Sequence, residues 1–173
     1  EVTGAQVKQE GDFVAKLSDG TFHKTLADAI TAAPAGATIT LIADVNENVT
    51  ISKNLTIDGA GKQYTGTMTA NKGLTVTVQN VNFVNAGFDK PKAQNSTTGI
   101  YNIKNCTFDG AGSYAYPIRM YGGNQINVEN CTVKDYLYSF LYVVKSALNV
   151  TVKNVTVENC PNYAIYFASG VNN

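Results

Sequence analysis

The side chains able to do acid–base or metal chemistry are few and scattered. His23 is the only histidine, Arg119 the only arginine, and Cys106, Cys131 and Cys160 the only thiols. Hydrolysis by acid–base catalysis needs two or more ionisable groups held a few ångströms apart. Asp58, Asp109, Asp135 and Glu158 are instead separated, each from the next, by 23 to 51 residues of chain, and no Ser/His/Asp set, phosphate loop or zinc spacing accompanies them. Three cysteines make no disulfide framework. Tyrosine is the abundant reactive-edged side chain, in "SYAYPIRMY", "DYLYSFLYV" and "NYAIYF". Flat rings carrying hydroxyls suit carbohydrate or protein surfaces. The expected binding residues are Tyr116, Arg119, Tyr121, Tyr138, Tyr142 and Tyr166, with no catalytic residue, no metal and no cofactor.

Those tyrosine segments recur because the chain recurs. "NVNF" begins at Asn80, "NCTF" at Asn105, "NCTV" at Asn130 and "NVTV" at Asn154, with "NLTI" at Asn54 as an earlier copy. A fixed period of about 25 residues marks a repeat architecture in which each unit buries a face against the next. Within a unit the apolar positions alternate. Val76 and Val78 precede Asn80, and Val81 and Phe83 follow it; Tyr101, Ile103, Cys106 and Phe108 repeat the pattern around Asn105. Two short strands with inward faces must therefore meet at a sharp corner, and asparagine tolerates the left-handed conformation that such a corner needs.

Coils of this kind stack in parallel register about 4.8 Å apart, which places like residues in ladders. The expected fold is all-β: a right-handed parallel β-helix of about five coils, with Asn54, Asn80, Asn105, Asn130 and Asn154 as a corner ladder. Cys106 and Cys131 share one interior position and are expected to be reduced core thiols. The first copy slips, since Val49 and Ile51 stand one place further from Asn54, which predicts an extra corner residue. The phase of the tyrosine-bearing strand stays open, because offsets of 22 to 25 all align and alternation sends about half the rings inward.

Residues 1–12 read as a tail or linker and 13–173 as one domain. Its first part, 13–36, is an N-terminal cap: Asp19-Gly20 turns a hairpin, and a helix follows, capped by Thr25 with Asp28 three residues on. Its apolar stripe is Leu26, Ala29, Ile30 and Ala33, and Pro34 and Gly36 end it. Coils fill 37–173. The other end shows no such plug, so the chain is expected to continue or to be covered by a partner. The formal net charge is zero, which argues against nucleic acid and anionic membrane as partners. No apolar run approaches a membrane span.

"TLADAITAAPAGATITLIADVNENVTISKNLTIDG", residues 25–59, resembles the N-terminal entry of the pectate-lyase-like β-helix superfamily. Pectin methylesterases open in a similar way, and so do repeat-bearing surface proteins of Gram-positive bacteria. The esterase resemblance would put a catalytic Asp at Asp135, in "KDYLY". A second Asp would follow about one coil later, where "NYAIYFASG" has no carboxylate, and the family's later Gly-Arg-Pro-Trp arginine has no counterpart. A lyase would need an acidic cluster for calcium, but Lys134 and Val84 interrupt the row of Asp58, Asp109 and Glu158. The expected function is a non-catalytic binding or display module of a larger extracellular protein, adhesin-like or part of a phage fibre or decoration protein, docking on a polysaccharide or partner-protein surface. The alternative is a pectate-lyase-type or pectin-esterase-type enzyme with an incomplete site. The expected location is extracellular, on a cell or virion surface.

Overall fold

The computed structural model describes residues 12–162 and 164–168. All but the last residue of the expected tail lies outside that range, as does Tyr163. Just over half of the chain is strand, wound as a β-solenoid of about five turns.

An N-terminal cap closes one end. β1 (Ala15–Leu17) and β2 (Phe22–His23) form an antiparallel hairpin that turns through Gly20 at φ 89. α1 (Leu26–Ala32) follows. The Thr25 side chain accepts from the Asp28 amide at 3.0 Å, and the Glu47 carboxylate accepts from the Leu26 and Ala27 amides. Free amides of the first turn are thus satisfied by oxygen, as helix N-termini require. Leu26, Ala29, Ile30 and Ala33 are buried as the apolar stripe demands. β1 then lies antiparallel on β3 (Thr38–Leu41), the first strand of the coils, and covers its edge.

Three parallel sheets form the solenoid walls. The first wall stacks β3, β6 (Leu55–Asp58), β8 (Thr75–Gln79), β10 (Ile100–Lys104) and the C-terminal halves of β12 (Ile118–Glu129) and β14 (Leu141–Lys153). The second stacks β4 (Val45–Asn46), the N-terminal ends of β7 (Gln63–Ala70) and β9 (Asn82–Lys90), β11 (Thr107–Asp109), β13 (Thr132–Lys134) and β15 (Thr156–Glu158). The third stacks β5 (Val49–Ile51) with the rest of β7 and β9, the starts of β12 and β14, and β16 (Ile165–Phe167). The core is a set of in-register columns. Val76, Tyr101 and Ile126 align in one. Phe83 lies flat on Phe108 with centroids 4.6 Å apart in another, a pairing that adds roughly 0.5–1.5 kcal/mol beyond its burial.

Left-handed residues make the corners. Asn80, Asn105, Asn130 and Asn154 have φ between 52 and 55. The Asn130 amide donates to Asn105 Oδ1 at 3.1 Å, and Asn154 donates to Asn130 Oδ1 at 3.1 Å. Asn80 donates instead to Asp58 Oδ1.

Asn54 is not in this ladder, which corrects the sequence expectation. β6 pairs with β8, so Leu55 faces Val76 and Asp58 faces Gln79. The residue that stacks on Asn80 is therefore in the place of Gly59, while the Asn54 side chain accepts from the Thr75 amide. The physical reason is coil size. Thr38 faces Thr56 and Leu55 faces Val76, offsets of 18 and 21 residues, whereas the later offsets are 24 or 25. Val49 and Ile51 then belong to the third wall, against Met68 and Ala70. The "slipped" first copy is thus two shorter coils, with no extra corner residue.

Candidate ligand-binding face

The third wall carries the candidate site. β12 turns Ile118 and Met120 inward and Arg119 and Tyr121 outward. Register then fixes one outward row: Thr69, Asp89, Arg119, Tyr142, Tyr166, each from the next coil. Asp89 and Arg119 form a bidentate pair, Nε to Oδ1 at 3.0 Å and Nη2 to Oδ2 at 2.6 Å. The Asp89 side chain is 12% exposed and that of Arg119 41%. The guanidinium is thus reachable and the carboxylate sits beneath it. Asp89 holds the Arg119 pKa above its ordinary value.

Two loops bring the remaining rings. The segment before β12 folds back on itself at Gly110, and the segment before β14 stacks on it: the Leu137 amide donates to the Tyr114 carbonyl and the Tyr138 amide to that of Ala115. Loop stacking therefore continues the strand register. It places Tyr138 on Tyr116 with centroids 5.1 Å apart. Tyr116 lies 4.8 Å from Tyr142, Tyr142 lies 5.3 Å from Tyr166, and Tyr121 lies 6.3 Å from Tyr142. Burial, with the neighbouring ring hydroxyls adding to it, raises the pKa of Tyr116 and Tyr142. The six expected binding residues are thus brought together on one face, and the open phase resolves to an offset of 22 in the loops and 23 to 24 in the strands.

The inward half of the tyrosines does structural work. Tyr136 is buried, and its hydroxyl donates to the Ala86 carbonyl at 2.7 Å. Tyr101 is buried with its hydroxyl on the Asn71 carbonyl, and burial pushes its pKa up to about 12. Tyr114 bonds Thr67 Oγ1 at 2.9 Å and ties the loop down.

A cleft of about 180 Å³ opens between that loop and the wall, lined by Thr67, Gly87, Asp89, Tyr114, Tyr116 and Arg119 among others. Gly87 forms its floor, because a β-carbon there would come within 2.9 Å of the Tyr116 and Pro117 carbonyls and the Tyr114 ring. A second hollow of about 190 Å³ is lined by Tyr116, Tyr138, Ser139, Asn162 and Tyr166.

Of the carboxylates singled out by sequence, Asp109 and Asp135 approach each other, across Lys134, whose Nζ lies 3.9 Å from Asp135 Oδ2. Asp109 faces Lys134 across the second wall, with Nζ to Oδ2 at 2.9 Å, and Glu158 follows in the same row. The Asp109 pKa is held down by Lys134. Asp58 lies on the first wall beside Gln79, so it is not in that row. Asp135 sits at a corner with φ 59 and accepts from Asn159. Among the described residues no group of three His, Cys, Asp or Glu side chains gathers as a metal site would. Cys106 and Cys131 are free and buried, and the neighbouring thiol together with burial pushes the Cys106 pKa well up. No helix is long and apolar enough to cross a membrane among the described residues.

Sequence reasoning missed Asp89, Lys90 and the loop contacts of Tyr114. Asn85, at φ 46, resets the in–out alternation after Phe83, so Ala86, Phe88 and Lys90 point inward and Asp89 outward. It also missed "DGAG", which occurs at Asp58 and again at Asp109. In both copies the Asp Oδ1 accepts from the amide two residues on and turns a corner, for Asp58 the one that Asn80 turns in the next coil and for Asp109 the one between the second and third walls. Comparison with protein-family models, curated proteins and solved structures gave no match.

Proposed function

We propose that this chain is a non-catalytic binding module of a larger extracellular protein, adhesin-like or from a phage fibre, and that it takes a glycan on the third wall. The observation that carries the reading is the single face on which five tyrosines continue the row begun by the Asp89–Arg119 pair. Amphipathic rings and a reachable guanidinium supply apolar contact and hydrogen-bond donors without any reacting group. The entry sequence supports placing the fold in the pectate-lyase-like superfamily, an assignment of fold that leaves activity open.

A polysaccharide-active enzyme is the second reading, and Asp89 in its cleft is the observation that favours it. The cleft residues supply one carboxylate, and both of its oxygens already accept from Arg119. That falls short of the acid and base that hydrolysis or lysis requires.

A glycan-array screen with a pull-down, run beside turnover assays on pectin and related polymers with calcium, tests both. Binding lost in the Tyr121→Ala, Tyr138→Ala double variant is the expected result. Binding that survives it moves the site off this face, and turnover abolished by Asp89→Ala or Asp135→Ala overturns the non-catalytic reading.

A further inference from the structure

The two hollows on the third wall share one lining residue, Tyr116. Their other residues come from different levels of the stack. Thr67, Asp89 and Arg119 belong to β7, β9 and β12, whereas Tyr138, Ser139 and Tyr166 belong to the loop before β14 and to β16. The hollows are therefore displaced along the solenoid axis, with Tyr116 between them.

Each is below the range of about 300–1,000 Å³ that holds a drug-sized ligand, and together they reach its lower end. One saccharide ring per hollow matches that division. The rings offer edges more than faces. Tyr142 has the Tyr116 ring 4.8 Å away at a 45° tilt and is stacked on Tyr166 at 5.3 Å, nearly parallel at 10°. A ligand in front of this row meets hydroxyls and ring edges.

The charge is balanced. Asp89 and Arg119 neutralise each other through two short bonds, and the other lining residues named here are uncharged at neutral pH. A uronate would have to compete with Asp89 for the guanidinium, and an ammonium sugar with Arg119 for the carboxylate. A neutral sugar needs neither displacement, because the remaining guanidinium donors and the Thr and Ser hydroxyls suffice.

Resting on the glycan-binding reading above, we propose that Tyr116 divides this face into two subsites, and that the ligand is a neutral glycan of at least two residues running along the solenoid axis. The test uses the full chain. A glycan array selects a neutral series, and calorimetry then measures its members of one, two and three residues against oligogalacturonides of matched length. Affinity is expected to rise on the order of tenfold from one residue to two, with the acidic series weaker throughout. Tyr116→Ala is expected to flatten that length dependence and Tyr116→Phe to keep it; if the alanine variant fails to fold, the wild-type series and the phenylalanine variant decide. Equal affinity for one and two residues overturns the two-subsite proposal while leaving glycan binding intact. A preference for the acidic series overturns its neutral class. Binding to no glycan at all overturns both this proposal and the reading it rests on.

Discussion

Asn130 shows how one residue type meets two demands. Its backbone turns the corner at φ 54, and its side chain both donates to Asn105 and accepts from Asn154. Alanine would lose the bonds and strain the left-handed backbone, so Asn130→Ala should lower stability by about 2 kcal/mol. Glycine takes positive φ freely, and Asn130→Gly should cost roughly half as much. Urea denaturation measures both, and equal losses would mean that the backbone angle contributes nothing. Lys90 makes a second case. It occupies an inward position opposite Met120, fully buried, with Nζ donating to the Tyr121 carbonyl at 2.6 Å and lying 5.8 Å from the Tyr101 ring centre. Burial, with Lys72 nearby, pushes its pKa down to about 8 from 10.5. A folded-state value below the unfolded one means that the unfolded chain binds more protons between the two. Stability conferred at this position is therefore lowest below about pH 8 and recovers as pH rises toward 10.5. The stability of the native protein relative to Lys90→Met should rise between pH 8 and 9.5, and a flat difference would mean that burial leaves the amine's proton affinity unchanged.

The glycine corners are a matter of whole segments. In "DGAG" the two glycines have different tasks. A β-carbon at Gly59 would meet the Asn80 carbonyl at 2.5 Å and Val81 at 2.6 Å, so the next coil could not close. Gly61 has φ 78 with nothing within 4 Å, so its substitution meets only backbone strain. Gly61→Ala should cost about 1–2 kcal/mol, and Gly59→Ala distinctly more by thermal unfolding, since backbone atoms must move. The reverse order would place the tight contact elsewhere. At this scale the sequence was most legible where the coil is regular. The 25-residue interval of Asn80, Asn105 and Asn130, and the cap with Thr25 and Leu26, could be read from spacing alone, because period-two alternation and capping act over a few residues. The short early coils could not, since "NLTI" at Asn54 imitates the motif while pairing with a different wall. The binding face was legible as a list of tyrosines and not as geometry. Its phase depends on how the loop at Gly110 folds, and Asp89 depends on a parity reset at Asn85.

Across the whole molecule, the strands run across the solenoid axis and each pairs only with strands of adjacent coils, while the Tyr114–Thr67 and Tyr136–Ala86 bonds reach one coil further. The two ends are unequal. The hairpin and α1 cover β3 at one, while at the other Val155, Val157 and Ile165 are only partly buried and Phe167 is 45% exposed. Stability in such an array is a sum of nearest-neighbour terms, so amide exchange should be fastest in β15 and β16 and slowest in β8 to β11; uniform protection would mean that the stack opens only as a unit.

The perpendicular arrangement of strands and axis also has a mechanical side. Tension applied between the two ends loads the bonds of one coil at a time, as in peeling tape, instead of shearing a whole strand pair together. Stretched in an optical trap, the chain should lengthen in steps, starting from the partly buried end. In the later coils each step should release 24 or 25 residues, as between Asn102 and Asn127, roughly 80–90 Å of contour; the two early coils, at 18 and 21 residues, should give shorter steps. A tether built this way yields in small instalments under load, and its capped end is the last to let go.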